Sequence, residues 1–571
     1  MQAVCQKKDR LSPNCFTNRQ KYAILNAITV LRKRRKSMKK ILKVTALLCL
    51  TAVILLSVVS CAPVLDKEHG HQFKNPTQTV DPTCVTKGER IFTCKCGAIE
   101  ISVLPATGEH TYQNKVCTVC GRKDPTGLTA PLLCGDALSS YVIVYDKDAS
   151  DYTVRAAEYI AKEVLARTNI TLNVVPLDDA TEVNAHEIVV GETSRQISQN
   201  LNAQTQGFEF ALLADQDHIA IEGDYFIIAA AAYYFVENYI PEKIFDIDVP
   251  QTATVCTPIV EESENFILLI GDGMGFNQTK LFEAYQSTEV TDYSDGENFF
   301  YGNLFPYLGE VRTNSLSGIT DSAAAGTALA SGYKTNNGSI GRNSDNQDIP
   351  LITELAAQKG KATAIMSTEE QRGATPASFS SHVYHRSNKG PILKSQNALV
   401  ETYGTIINCD YDVYTEEEMV KLRSAITQTL DTLSKDEDGF FMMYEEAYID
   451  KHCSAMKVEN AYMAMVRFNQ AIALFMEYAF YHPETMVIIT ADHETGGLHL
   501  DENGEYKFVS EDHTAANVPV FAYGARANVF DGKTIENIQI PKTIAALFDV
   551  KIEGTDPQNY PALLPLTCVK K

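Results

Sequence analysis

The stretch Phe266-Ile-Leu-Leu-Ile270-Gly-Asp-Gly-Met-Gly275 decides the fold of the C-terminal 310 residues. Five apolar residues running into a glycine-rich turn that carries one acid read as a buried strand ending in a loop. Such a turn is common geometry and says little about chemistry when it stands alone. Two further segments change its meaning. Thr320-Asp-Ser322-Ala-Ala-Ala-Gly326 puts a serine just ahead of an alanine-rich helix, and Thr490-Ala-Asp492-His493-Glu-Thr-Gly496 follows the apolar run Val487-Ile-Ile. α/β folds place their chemistry at strand ends and helix starts. An acid, a serine and an Asp-His pair at three such points, in order along the chain, predict a metal-assisted phosphoryl-transfer site.

Working outward, strand candidates after Phe266–Ile270 are Ala362–Met366, Phe440–Tyr444, Met486–Ile489 and Val518–Phe521, with helical patterns between them, the clearest at Val458–Phe480. This alternation predicts an α/β unit over residues 262–571, a doubly wound, largely parallel sheet with helices on both faces. Residues 132–258 repeat the alternation on a smaller scale. Tyr141–Tyr145, Leu172–Val175, Glu187–Val190, Phe208–Leu213 and Ile219–Ile221 read as strands. Val154, Ala157, Ile160, Ala161, Val164 and Leu165 mark one helix face, and Ile227–Glu237 a second helix. With Ile188-Val-Val-Gly-Glu-Thr193, this unit resembles the noncatalytic accessory domain found ahead of some glycoside hydrolases. His186 and His218 read there as ordinary strand residues.

The N-terminus belongs to targeting. From Met38 the chain reads Met-Lys-Lys-Ile-Leu-Lys, then an apolar run from Val44 to Val59, then Ser60-Cys61, a charged n-region and apolar h-region of a secretory signal. Val58-Val59-Ser60-Cys61 resembles a bacterial lipoprotein processing site, which would make Cys61 the lipidated first residue, 38–60 the signal and 1–37 an upstream extension from a misassigned start. An uncleaved anchor over 41–60 is the alternative. Either way the rest is exported and membrane-attached on the extracytoplasmic side of a bacterial cell. Residues 1–60 hold 13 Lys/Arg and one acid, so the remainder carries 37 basic against 71 acidic residues, about −34, which excludes nucleic acid as a partner.

Of 14 cysteines, five crowd between Cys84 and Cys120. After a linker at 61–83, residues 84–125 form a Cys-rich module resembling those of bacterial surface proteins. Cys94, Cys96, Cys117 and Cys120 could supply four thiolates to one structural zinc, and disulfides are the alternative in an exported chain.

The segments Ile270-Gly-Asp-Gly-Met-Gly, Thr320-Asp-Ser-Ala-Ala-Ala-Gly, Ala374-Thr-Pro and Thr490-Ala-Asp-His-Glu-Thr-Gly-Gly resemble those of alkaline phosphatases, in the family's order. The resemblance implies two Zn2+ and one Mg2+. Ser322 would be the nucleophile and a ligand of one zinc together with Asp272, Asp492 and His493. Asp272, Thr375 and Glu445 would hold magnesium, and Asp450 and His513 the second zinc. Arg386 would clamp two phosphoryl oxygens and Lys451 reach the phosphate through water. Read from the residues alone, Ser322 could instead be a helix N-cap, and Glu445 and Asp450 solvated helix-start acids.

Two positions depart from the family. Gly373 stands where some members have an outer-shell Asp, and Ser454 where the second zinc expects a His. His452, two residues after Asp450, either replaces that ligand or is a solvated loop residue. The function implied is hydrolysis of small phosphate monoesters through a phosphoserine. The rivals are a diester-cleaving sister enzyme, against which Arg386 speaks, and a surface-binding protein whose phosphatase domain has decayed. A cell-surface ligand for residues 132–258 and a homodimer complete the expected partners.

Overall fold

The computed structural model describes most of residues 75–570. Residues 1–74, 285–298, 553–561 and 564–568, with shorter stretches such as 94–98, lie outside the described residues. The expected signal, the lipid site at Cys61, and Cys94 and Cys96 are among those outside. The chain divides into residues 1–75 with 92–98, of which only Asn75, Phe92 and Thr93 are described, and residues 76–91 with 99–571, which hold everything below. Among the described residues no helix is long and apolar enough to cross a membrane.

The Asn265–Gly271 strand lies inside an eight-stranded sheet. The order is Ile406–Cys409, Ala362–Ser367, Phe440–Glu446, Asn265–Gly271, Thr485–Thr490, Val518–Tyr523, Tyr307–Arg312 and Thr534–Glu536. The first five run parallel. Val518–Tyr523 is antiparallel to both of its neighbours, and Thr534–Glu536 returns parallel to Tyr307–Arg312. The sheet is thus largely parallel, of the α/β class, with helices on both sides. Every residue of the Asn265–Gly271, Phe440–Glu446 and Thr485–Thr490 strands is buried, which is why these strands read as continuous apolar runs rather than as alternation. Register puts Ile270 beside Glu445 and Thr490. Asp272, Glu445 and Asp492 therefore emerge together at the carboxyl ends of three adjacent strands.

Residues 142–256 build a six-stranded sheet with a helix at Asp151–Thr168 and another at Ile227–Tyr239. The first helix differs from its expected face: Ala156, Ala157, Ile160 and Val164 are buried, whereas Leu165 is exposed. The strand expected at Leu172–Val175 begins two residues later, at Val174.

This smaller sheet and the larger one share a hydrophobic core. Phe226 stacks on Phe480 at 5.9 Å, Tyr159 lies 4.2 Å from Tyr481, and Phe208 touches both Phe480 and Tyr523. Two of these three partners, Phe480 and Tyr481, lie at the end of the 24-residue Val458–Tyr481 helix, and the third, Tyr523, packs edge-on against Phe480. Beside them Arg155 donates two hydrogen bonds to Glu477, at 2.8 and 2.9 Å. Burial holds the Glu477 carboxyl above its usual range even against that arginine. Arg155→Ala is expected to leave the carboxylate buried and unpaired and to cost about 2 kcal/mol. That is less than a fully buried pair loses, because the arginine side chain is 41 % exposed. Chemical denaturation checks the value; a loss under about 0.5 kcal/mol, as for an exposed pair, would show that the bridge is ornamental.

Candidate active site

The glycine-rich turn after the central strand does more than reverse the chain. Gly273 has φ +80°, and a Cβ there would lie 2.7 Å from the Asp450 Cα. Glycine is required so that the backbone carrying Asp272 can press against the helix start carrying Asp450. The Gly273 N–H also donates to Asp492 Oδ1.

Ser322 is the first residue of the Ser322–Ser331 helix, and its N-cap is Asp321, whose carboxylate accepts from the Ala324 N–H at 2.9 Å. The capping role that the sequence left open for Ser322 therefore belongs to its neighbour. Ser322 is buried, with its Oγ 3.2 Å from His493 Nε2. That nitrogen also lies 3.4 Å from Asp272 Oδ1 and 3.2 Å from Asp492 Oδ2. One serine oxygen, two carboxylates and one imidazole thus converge at the helix N-terminus, where the helix field favours negative charge.

A second group sits beside the first. Asp450, His493 and His513 gather their ligand atoms within 4.8 Å of one another, as do Asp272, Asp492 and His493. The His493 and His513 rings stack at 3.5 Å. His513 Nδ1 lies 2.8 Å from the Thr320 carbonyl, a partner that fixes the proton on Nδ1 and leaves Nε2 for Asp450 or a cation. Thr495 does the same for His493. Its hydroxyl donates to Asp450 Oδ1 at 2.6 Å and accepts from His493 Nδ1 at 3.1 Å, so that His493 Nε2 turns to Ser322 with a lone pair.

The donor set fits divalent cations. Asp272 Oδ1, Asp492 Oδ2, Thr375 Oγ1 and Glu445 Oε1 are all buried without a hydrogen-bond partner. Four such oxygens in one place are costly unless a cation satisfies them. Burial lifts the Asp272 carboxyl well above the ordinary range, with Asp492, Asp450, Glu445 and Glu369 adding to it, and burial does the same to Glu445, with Glu369 next. Burial lowers the His493 ring. For His513 burial works in the same direction, but the contact with Asp450 outweighs it and raises the ring to about 9. Asp450 is held at about 2 against its own burial by His513 and His493.

Arg386 lies beside Ser322, its Nη1 3.3 Å from the Asp321 carboxylate and its side chain 39 % exposed. Lys451 Nζ is 3.2 Å from Glu369 Oε2. Glu369 was not singled out in the sequence, yet a Cβ on Gly373 would meet its Oε1 at 1.7 Å. Its carboxylate occupies the space that a side chain at residue 373 would take. Asp321, Glu369 and Thr495 are therefore the residues that sequence reasoning missed. Asp321 and Thr495 stand inside the quoted motifs and Glu369 five residues before Ala374-Thr-Pro, and that placement was the only available signal.

His452 does not join the cluster, which among the described residues comprises Asp450, His493 and His513. The segment Tyr448–Ser454 is helical, so two residues turn His452 about 200° away from Asp450, whereas Ser454, four residues on, returns to its face. His452 is buried and packs near the Tyr448 ring, so it is not a solvated loop residue either. Ser454→His is expected to raise affinity for the second metal by roughly tenfold or more by supplying a third protein ligand. His452→Ala is expected to leave metal stoichiometry unchanged. Metal analysis after dialysis checks both, and loss of metal on His452→Ala would refute the helical placement.

Comparison with known proteins gives the same family. Residues 263–414 and 407–509 match the family model for alkaline phosphatase. Alkaline phosphatase 3 of Bacillus subtilis is 28 % identical over 345 residues, 51 % of this chain and 72 % of that protein. The alkaline phosphatase of Escherichia coli is 23 % identical over 406 residues, covering 48 % of this chain and 84 % of that one. The solved alkaline phosphatase of the Antarctic bacterium TAB5 aligns with 50 % of this chain and 99 % of its own, at 26 % identity and a TM-score of 0.45. Residues 263–509 thus match the alkaline phosphatase family model, and the relatives that align with them are alkaline phosphatases.

Proposed function

We propose that this chain is a metal-dependent phosphate monoester hydrolase that works through a phosphoserine on Ser322. The observation that carries the reading is the contact of Ser322 Oγ with His493 Nε2 within a shell of unpartnered buried oxygens. Two zinc ions and one magnesium ion are assigned: the first zinc to Asp272, Asp492, His493 and Ser322, the second to Asp450 and His513, and the magnesium to Asp272, Thr375 and Glu445. When bound, these ions would neutralise the carboxylates and lower the pKa of the serine hydroxyl and of water.

The protein's own part is positioning. Ser322 Oγ gives its proton to solvent and forms a bond to phosphorus as the ester oxygen departs with its electron pair and takes up a proton from solvent. Water then attacks the same phosphorus from the opposite side, Ser322 is regenerated, and inorganic phosphate leaves. The Asp321 carboxylate steers the Arg386 guanidinium to the mouth of the site, where its planar fork suits two oxygens of a dianionic phosphate. That geometry favours monoesters over diesters. The intact Ser322, Asp272, Asp492, His493 and His513 argue against a decayed binding protein.

Export and lipid attachment at Cys61 belong to the same proposal and place the enzyme where it would scavenge phosphate from organic esters. Hydrolysis of an aryl phosphate, measured on chelated protein before and after zinc and magnesium are added, tests the activity. Full activity in excess chelator would overturn it.

A further inference from the structure

A second cluster of metal-ligating side chains lies far from this chemistry in the sequence, within the Cys-rich module. Cys84, His110, Cys117 and Cys120 gather one ligand atom each within 4.8 Å of one another. The Cys84 and Cys117 sulfurs are 3.9 Å apart, and Cys120 Sγ is 3.3 Å from His110 Nδ1. A tetrahedron with metal–sulfur bonds of about 2.3 Å and a metal–nitrogen bond of about 2.0 Å has edges of about 3.8 Å between sulfurs and about 3.5 Å from sulfur to nitrogen. The three sulfurs and the one imidazole nitrogen therefore need to shift by less than about 1 Å to meet one ion.

The local backbone is built to hold this shell. Tyr112–Gln113 and Val116–Cys117 form a hairpin whose two turn residues, Asn114 and Lys115, have φ +52° and +65°, the conformation of a tight two-residue hairpin turn. Immediately after the hairpin, Cys117-Thr-Val-Cys120-Gly121 curls back. The Gly121 N–H donates to the Cys117 carbonyl at 3.0 Å, and Gly121 has φ +76°. This turn presents two sulfurs to one side. The Thr107 N–H donates to the Thr83 carbonyl at 2.8 Å, which ties the segment leading to His110 to the residue preceding Cys84.

Burial supplies the independent argument. From residue 75 to 130, among residues whose burial is described, Cys84 and Cys117 are the only buried hydrophobic side chains, while Val80, Val116 and Val119 are exposed. Among the described residues the module thus shows no apolar core of its own, and a unit of this size with so little buried apolar surface needs a staple. A disulfide would use two of the three thiols and leave the third thiol and the imidazole without a role.

We propose that Cys84, His110, Cys117 and Cys120 form a structural zinc site, with three thiolates and one imidazole closing the coordination shell. Cys84 and His110 stand in this shell where Cys94 and Cys96, which lie outside the described residues, were expected, and four donors are enough to close it. The ion staples the module, which meets the strand Asp246–Ile247, itself paired with Leu132–Leu133: Lys123, just beyond the turn, pairs with Asp246 and Asp248 at 3.0 and 2.9 Å.

Cobalt substitution of the purified full chain tests this site separately from the catalytic one, whose donors are all oxygen and nitrogen. The metal-loaded protein is expected to show intense thiolate-to-cobalt charge-transfer bands in the near ultraviolet. Cys84→Ser and Cys120→Ser should each abolish those bands and lower total bound metal by one ion per chain, while aryl phosphate hydrolysis, which reports that the rest is folded, persists. His110→Cys should keep the bands, since four donors remain. The double change of Cys94 and Cys96 to serine should leave them intact. The proposal falls if the wild type shows no thiolate band. It falls equally if non-reducing mass spectrometry finds Cys84 or Cys120 in a disulfide, or if the bands survive Cys84→Ser and vanish without Cys94 and Cys96.

Discussion

Replacing Ser322 by alanine is expected to lower turnover of an aryl phosphate by roughly 10⁴-fold and to abolish covalent phosphate on the protein, with the fold unchanged. At this residue chemistry and stability rest on different side chains. The Ser322 hydroxyl touches His493 Nε2, whereas the helix start is held by Asp321, which accepts from the Ala324 and Gly338 N–H groups. Losing the hydroxyl removes the attacking atom and leaves the cap in place, so the stability cost should stay within about 1 kcal/mol. Labelled phosphate recovered on the alanine variant would remove Ser322 from the mechanism.

The second large effect concerns metal removal and its dependence on pH. Stripping the metals should lower the melting temperature, and the gap between loaded and stripped protein should widen from pH 7 to pH 9. In the stripped protein Asp272 and Glu445 have carboxyls raised well above their ordinary values, and His513 is raised to about 9. A group raised on folding lends stability below its unfolded value and loses it as pH climbs through its folded value. For His513 that loss runs from about 6.5 to about 9, on the order of 2 kcal/mol.

Two neighbours do not confuse the window. His493 is lowered, so its contribution is complete once pH exceeds the ordinary histidine value, and Asp450 at about 2 changes only in acid. In loaded protein the ligands are already deprotonated, and the slope should vanish. Binding should accordingly release protons in this range, measurable by calorimetry in buffers of different ionisation enthalpy. A gap that narrows with rising pH would contradict the assignment of these residues as ligands.

How much of this was legible beforehand follows from physical contrast. Asp272 and Asp492 were visible because each follows a buried, mostly apolar strand, where an acid is out of place unless something neutralises it. Tyr307–Arg312, Ile406–Cys409 and Thr534–Glu536 were not anticipated as strands. They lie at or near the sheet edges, and the first alternates buried and exposed residues while the second is only half-buried, so neither shows an uninterrupted apolar run. Thr495 was hidden because a threonine in a motif loop looks the same whether or not it orients a histidine. Cys84 and His110 were missed as partners of Cys117 and Cys120 because His110 lies 26 positions after Cys84, and the hydrogen bond between Thr107 and Thr83 that closes that gap leaves no periodic trace. His452 was misplaced for the opposite reason: its nearness in sequence outweighed the helical turn that carries it away.

The aromatic seam joining the Val458–Tyr481 helix to the smaller sheet bears on how such a chain could be inherited. A catalytic unit that lost residues 132–258 would leave Phe480, Tyr481 and Tyr523 without the rings of Phe226, Tyr159 and Phe208. It would also leave Glu477 without Arg155. An apolar face of that kind invites aggregation. The two halves are therefore poor candidates for shuffling as separate cassettes. A descendant that shed the first would need compensating polar changes along one side of that single helix, and those positions are where a lineage lacking the smaller sheet should be seen to differ.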